Sequence, residues 1–328
     1  MNALEVKDRI NCLARSGKEF LFGFDFELTE GFIIENPRSQ KEILFRTPLC
    51  SNSSVERANG DTDGEMSVTP EPYERYKERF DIVMRGLRRG DSFLTNLTVR
   101  TPIETSLSLR EIFNLSTAPY CLYYPNRFVC FSPEIFMRID NGIISTNPMK
   151  GTIDACVPNA EEVILGDEKE TREHNTVVDL LRNDLGMFAE NIQVDKFRYI
   201  DRIHTNERDI LQVSSKISGR LPADYPGRLG DILFGMLPAG SVSGAPKSST
   251  VKMIREAEII PRGYYTGIFG VFDGRSLDSA VMIRFIEEQD GKRYFRSGGG
   301  ITVMSRPREE YCEVMEKIYL PFKKQKQG

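Results

Sequence analysis

Lys150, two glutamate pairs, one arginine inside an apolar run and a triple glycine are the positions of this chain whose types and spacing suit chemistry. Lys150 stands in Pro148-Met149-Lys150-Gly151-Thr152, after Asn141-Gly142-Ile143-Ile144, which reads as a short strand entering a glycine-supported turn. Held against backbone that Gly151 lets approach, its ammonium loses hydration and becomes an amine nucleophile; an exposed turn lysine is the alternative. Glu170 and Glu173, like Glu310 and Glu313, are three apart, so each pair shares a helix face. Each pair alone suits a solvated face, whereas two pairs flanking a glycine-rich segment suit a hard cation such as Mg²⁺. Arg284, within Met282-Ile283-Arg284-Phe285, is a charge in an apolar setting and a candidate anion ligand. Gly298-Gly299-Gly300 is either a flexible turn or a bare stretch whose N–H groups face a ligand carboxylate. Gly240 to Lys247 has the outline of a phosphate-binding loop, but Ala245 and Pro246 intervene before the lysine, which disfavours nucleotide hydrolysis.

Bulk composition bounds what these residues can do. The 328 residues carry 44 Lys+Arg and 48 Asp+Glu, a net charge of −4, so no basic field points to nucleic acid or membrane. The six cysteines are scattered without Cys-x-x-Cys spacing and read as reduced thiols. With only His174 and His204, a Ser-His-Asp centre or a multi-histidine metal site is disfavoured, leaving carboxylates, lysine and arginine to act. No signal-peptide core or long apolar run is present, so a soluble cytoplasmic protein is expected.

The elements that must position these side chains are read from periodicity. Strand runs occur at 20–24, 32–34 and 43–45, followed by a polar stretch at 51–72 that reads as a mobile surface loop. A helix is predicted from about Pro72 to Gly90, another from Asp167, whose Asp-x-x-Glu start fits a capping box, and a last one from Ser305. Strand runs at 268–272, 280–286 and 293–296 separate the last two. These fit a mixed α/β protein with mainly antiparallel sheets better than a regular βαβ alternation. Residues 1–72 form a short β-rich segment within the same globular unit as the core at 73–328.

The ordered motifs resemble the chorismate-utilising enzyme family, and within it most closely the aminodeoxychorismate synthase component I subfamily. They are Gly90-Asp91-Ser92 with Asn96-Leu97, Phe131-Ser132-Pro133-Glu134, Pro148 to Thr152, Glu173 to Asp184, Gly240 to Lys247, Tyr265-Thr266-Gly267, Ile283-Arg284, Gly298 to Gly300 and Glu310 to Glu313. The resemblance implies the anthranilate synthase component I-like fold, an α+β architecture of large, mainly antiparallel sheets packed as a sandwich with helices outside. It implies Mg²⁺ between Glu170, Glu173, Glu310 and Glu313, holding the ring carboxylate of chorismate. It further implies that Arg284, Tyr265 and the glycine run hold the enolpyruvyl carboxylate, with Thr152, Ser241 and Lys317 as further substrate contacts. Glu134 matches the general acid/base, and Lys150 the group that adds at C2, where anthranilate synthases carry alanine. The implied reaction joins chorismate and ammonia into 4-amino-4-deoxychorismate, with ammonia supplied by a separate glutamine amidotransferase subunit. Anthranilate or isochorismate formation and a non-catalytic chorismate-binding subunit are the alternatives. Two positions depart from the family pattern: Gln212 where many relatives have histidine, and Leu94 where they have glutamine or, in water-adding members, lysine.

Overall fold

A computed structural model of the chain describes residues 1–54, 65–204 and 209–320. Its elements begin α1 (Ala3–Arg15), β1 (Phe20–Phe24), β2 (Gly31–Glu35), β3 (Leu44–Arg46), β4 (Met66–Val68), α2 (Tyr73–Arg89) and β5 (Leu94–Thr105). They continue α3 (Leu109–Leu115), β6 (Tyr120–Tyr124), β7 (Phe128–Ser132), β8 (Ile135–Asp140), β9 (Ile143–Thr146) and β10 (Met149–Asp154). Next come α4 (Ala160–Gly166), α5 (Glu168–Gly186), β11 (Glu190–His204), β12 (Asp209–Arg220), α6 (Leu229–Gly235), α7 (Gly240–Ser243), β13 (Gly244–Ala245) and α8 (Lys247–Ala257). The chain finishes with β14 (Ile268–Phe272), β15 (Leu277–Val281), β16 (Phe285–Gln289), β17 (Lys292–Ile301) and α9 (Pro307–Glu316).

Among the described residues the strands form two antiparallel sheets. The first runs β10-β12-β9-β8-β15-β14-β1-β2, with β11 also on β12; the second runs β13-β5-β17-β16-β7-β6-β3, with β4 on β5. Their facing sides share one core, where Leu21, Phe269 and Val271 of the first meet Phe45, Leu122, Phe128 and Phe285 of the second. Outside the first sheet, α1, α5 and α6 bury Val6, Ile10, Val177, Leu181 and Leu233 against Phe20, Phe22 and Phe24. On the outer side of the second, α3 buries Ile112 and Phe113 on Val129 and Phe131, while α2, α8 and α9 cover Leu97 and Val99. The α+β sandwich with outer helices is therefore the architecture. Burying each apolar face stabilises the stack by on the order of 25 cal/mol for each Å² of apolar surface removed from water, the main term favouring it.

Local signals set the boundaries. Gly90 at φ 84 ends α2 in the left-handed conformation that glycine adopts without a Cβ penalty. Asp167 accepts the Glu170 amide to open α5. The last helix starts at Pro307, two residues later than the pattern predicts, because proline suits the first turn. Several expectations are corrected. The β-rich N-terminus opens with a helix, α1, whose Ala3, Val6, Ile10 and Leu13 are buried at helical spacing. Within the polar stretch at 51–72, Met66–Val68 is a strand on β5; residues 55–64 lie outside the described residues. The run at 280–286 is two strands, β15 and β16, separated by Arg284 at φ 54.

Helix α5 is fastened to the first sheet by a buried polar contact. His174, 1% exposed, has Nε2 2.7 Å from Ser215 Oγ of β12. The same hydroxyl accepts the Arg198 amide at 2.9 Å, which leaves its proton for the imidazole. Burial, with Arg198 and Lys150 nearby, lowers the His174 pKa to about 4, so the ring is neutral at physiological pH. Because the folded value lies below the unfolded one, this group's stability contribution is complete above the unfolded pKa and is lost as pH falls toward 4. The loss is bounded at about 3 kcal/mol. His174→Gln should therefore show a smaller drop in Tm between pH 7 and pH 4.5 than the wild type; equal drops in a thermal melt would exclude this contact as the acid-sensitive joint.

Candidate active site

Lys150 lies inside β10 rather than in a turn after a strand. The ladder with β12 shifts register between Lys150 and Thr152, and Gly151 takes φ 78 there, so the glycine is a bulge. A Cβ on Gly151 would stand 3.2 Å from Glu170 Oε2, so the first turn of α5 leans directly over the bulge. The bulge redirects the strand beside Lys150, which is half-buried.

The triple glycine is strand as well. Gly298, Gly299 and Gly300 pair with Thr98, Leu97 and Asn96 of β5, which excludes the flexible-turn reading. What they supply is space. A Cβ on Gly300 would meet Lys150 Nζ at 3.2 Å, Leu94 Cδ1 at 3.2 Å and Glu173 Oε2 at 3.5 Å. One on Gly299 would lie 3.7 Å from Glu310 Oε2 and 3.8 Å from Glu313 Oε1. Thus carboxylates of α5 and α9, far apart in sequence, reach the same bare stretch of β17. Glu310 is 1% and Glu173 6% exposed, whereas Glu313 is on the open side. Lys317 Nζ donates to Gly298 O at 3.0 Å and to Glu313 at 2.7 Å. Burial lowers the pKa of Lys317; Glu313 opposes this, and Arg284 and Lys150 add to it.

Glu134 sits between β7 and β8, its amide donating to Ser132 Oγ at 3.1 Å and its carbonyl accepting from Val281. Burial pushes its carboxyl up; the hydrogen bond from Ser241 Oγ pulls it back first, and Lys150, Arg284 and Lys317 follow. Glu134 and Lys150 are therefore on the same site, with two further cations facing the acid. Ser241 is presented by the short α7. Arg284 is not in the interior of a strand: it stands at the corner between β15 and β16, where its carbonyl accepts the Phe131 amide at 3.0 Å. Tyr265, 3% exposed, packs on Phe285, and its phenol is pushed well up by burial while Arg262 and Arg284 oppose.

Thr152 follows the bulge and is exposed, and none of the described contacts ties it to the others. Gln212 is buried on β12 opposite Thr152. Leu94, 2% exposed, gives the lysine an apolar wall beside Gly300. The nucleotide-loop reading of Gly240 to Lys247 fails. Lys247 is held by Asp184 at 2.6 Å and Met236 O at 2.7 Å, and Gly244-Ala245 is a strand on β5.

Two supports escaped the sequence reading. Arg262 and Glu258 form a buried pair at 2.7 Å; Glu258 accepts from the Thr98 amide, and Arg262 donates to the carbonyls of Val242 and Asn96, fixing the residues beside Ser241 and across from Gly300. Their i, i+4 spacing was a visible signal. His174 was the other, and its scarcity pointed only to what the chain lacks. The site thus combines an amine, an acid with a raised pKa, paired carboxylates and an arginine, a set suited to a multiply anionic substrate with a leaving group that needs a proton.

Comparison with known proteins agrees with that inventory. The chain is 55% identical over 316 residues to an uncharacterized PabA-like protein of Haemophilus influenzae, covering 96% of this chain and 95% of that one. It is 29% identical over 299 residues to aminodeoxychorismate synthase component 1 of Bacillus subtilis, covering 86% of this chain and 61% of the relative. The crystal structure of anthranilate synthase component I from Streptococcus pneumoniae superposes with a TM-score of 0.66 at 28% identity, over 78% of this chain and 59% of that one. This chain spans roughly three fifths of the latter two proteins. Residues 28–322, which include every side chain of the site, match the family described as chorismate binding enzyme, and the chain belongs to that family.

Proposed function

We propose that this chorismate-utilising protein is the aminating component of an aminodeoxychorismate synthase, converting chorismate and ammonia to 4-amino-4-deoxychorismate on the way to 4-aminobenzoate and folate. The observation that carries this reading is the placement of the Lys150 amine over Gly300, beside Leu94 and within electrostatic reach of Glu134. Likeness to the Bacillus subtilis aminodeoxychorismate synthase component supports it.

Lys150 adds as the free amine to C2 of the ring. Both ring double bonds shift along the conjugated diene, the C4–O bond breaks, and the departing hydroxyl takes the proton of Glu134 and leaves as water. Ammonia then forms the C4–N bond while both double bonds shift back and the C2–N bond breaks, returning Lys150 as a free amine. The new C4 ammonium returns a proton to Glu134. Two allylic substitutions replace one displacement of hydroxide. The raised pKa of Glu134 suits an acid that must be protonated before each turnover. Arg284 and Lys317 lie within electrostatic reach of Glu134, where they would meet the substrate carboxylates, and the leucine wall at Leu94 offers water no hydrogen-bonding partner. A C2 aminase of the anthranilate type has no use for Lys150, and that residue favours the C4 product.

The donor set fits Mg²⁺. Glu170, Glu173, Glu310 and Glu313 offer only carboxylate oxygens, and among the described residues no three acidic, histidine or cysteine side chains close into a ready-made cage. Such a set suits an ion that takes a few carboxylates and completes its shell with water and substrate. Bound there, Mg²⁺ supplies positive charge against the substrate's carboxylates. Ammonia is supplied by a glutamine amidotransferase subunit, so glutamine alone should support no turnover in the purified chain. Among the described residues no helix is long and apolar enough to cross a membrane.

Product identification after incubation with chorismate, Mg²⁺ and ammonium, followed by the separate lyase, should show 4-aminobenzoate; anthranilate as the product would refute the assignment. Lys150→Ala should lose the C4 product, and Glu134→Gln should lower kcat by about 10²- to 10⁴-fold. The pH profile of kcat/KM should have an alkaline limb set by Glu134, since activity is lost as pH rises through its elevated pKa. Ser241→Ala removes the hydrogen bond that lowers this pKa and should move the limb to higher pH. Chelation should abolish turnover and Mg²⁺ restore it, with Glu310→Gln needing more Mg²⁺ for half-activation. A chelator-insensitive rate would remove the ion from the reading.

A further inference from the structure

In the segment after α9 the side chains alternate between core and site. Ile318 and Leu320 pack into the cluster formed by Phe131, Ile286 and Phe295. Lys317 and Tyr319 turn the other way: Lys317 reaches Gly298, and Tyr319 reaches Arg284. The Nε–H of Arg284 donates to Tyr319 Oη at 2.9 Å, and the guanidinium carbon lies 5.3 Å from the centre of the same ring. One residue therefore both bonds and stacks on this arginine.

We infer that Tyr319 is a positioning residue for substrate, which aims Arg284 at a carboxylate of the bound ligand. The backbone of Arg284 is already fixed, at φ 54 and through its carbonyl bond to the Phe131 amide. Its side chain nevertheless has several rotatable bonds and is only half-buried. Tyr319 occupies Nε and so leaves the two terminal nitrogens as the paired donors for an incoming carboxylate, an end-on fork. Ile318 and Leu320 on either side hold the tyrosine in place, which makes the C-terminal strap part of the binding wall. The ordering of the arginine precedes binding, and its benefit is the same for bound substrate and transition state. The effect accordingly falls on KM rather than on kcat.

This inference rests on the chorismate reading, and the experiment separates the two. Steady-state kinetics with chorismate, Mg²⁺ and ammonium would compare the wild type, Tyr319→Phe, Arg284→Lys and the double variant. Tyr319→Phe keeps the ring and removes only the hydroxyl, at a position 45% exposed, so the fold should survive with an unchanged thermal melt. KM should rise about tenfold with kcat within about twofold, the effect of losing one hydrogen bond to a charged group. In the Arg284→Lys background the same change should add little, because the partner it orients is gone. An unchanged or lower KM in Tyr319→Phe, or fully additive effects in the double variant, would overturn the inference while leaving the chorismate reading intact. Failure of the wild type to consume chorismate would overturn both.

Discussion

The absence of side chains along one stretch of β17 is the constraint from which the site follows. At Gly300 a single methyl group would stand 3.2 Å from Lys150 Nζ, and at Gly299 it would lie in contact with Glu310 and Glu313. The stretch is held flat by its ladder with β5, so the space is rigid rather than the product of a mobile turn. Two helices that share no sequence neighbourhood, α5 and α9, can then bring carboxylates to the same floor as a lysine from the other sheet. Alanine in place of Gly300 would force the lysine, the leucine or the glutamate to withdraw.

Opposite charges at this floor solve a problem set by the whole chain. A net charge of −4 gives no general attraction for an anionic substrate, so binding must come from local cations. Lys150, Arg284 and Lys317 supply them, and each acts on Glu134. Burial raises the acid's pKa while these cations and Ser241 restrain the rise, so its protonation is set by a balance of opposing influences. Burial lowers the pKa of Lys317, Glu313 opposes the fall, and the neighbouring cations Arg284 and Lys150 add to it.

Sequence pattern carried most of the strands, and the resemblance named candidate site residues that the structure brings together, but neither carried their geometry. Runs such as Phe20–Phe24 and Ile268–Phe272 are legible because both faces of those strands are buried, leaving no polar alternation to confuse them. Helix α1 was hidden because Glu5, Lys7, Asp8 and Arg9 interrupt its apolar stripe, whose spacing becomes plain only once its burial is known. Arg284 looked like a strand residue because its neighbours are apolar; its left-handed turn has no sequence signature, since arginine seldom adopts it. Gly298 to Gly300 looked like a turn because local propensity disfavours glycine in strands, and the long pairing with β5 overrides that preference. The i, i+3 glutamate pairs were visible, while their convergence depends on sheet order that no local pattern encodes.

What positions the chemistry is, in consequence, buried polar structure rather than apolar packing. His174 bonds Ser215 next to Glu173, and Arg262 with Glu258 ties the backbone at Asn96, Thr98 and Val242. A hydrophobic contact tolerates sliding, whereas a charged fork with fixed donors tolerates little. Replacing Arg262 leaves Glu258 charged and enclosed, a loss of about 3–5 kcal/mol that apolar substitution at one partner cannot repair. The same pair sits beside Ser241, so the interaction that holds α7 and β5 together also sets where the bond to Glu134 is made. Fold stability and acid placement are thus coupled through one ion pair, and a change that loosens the first must disturb the second.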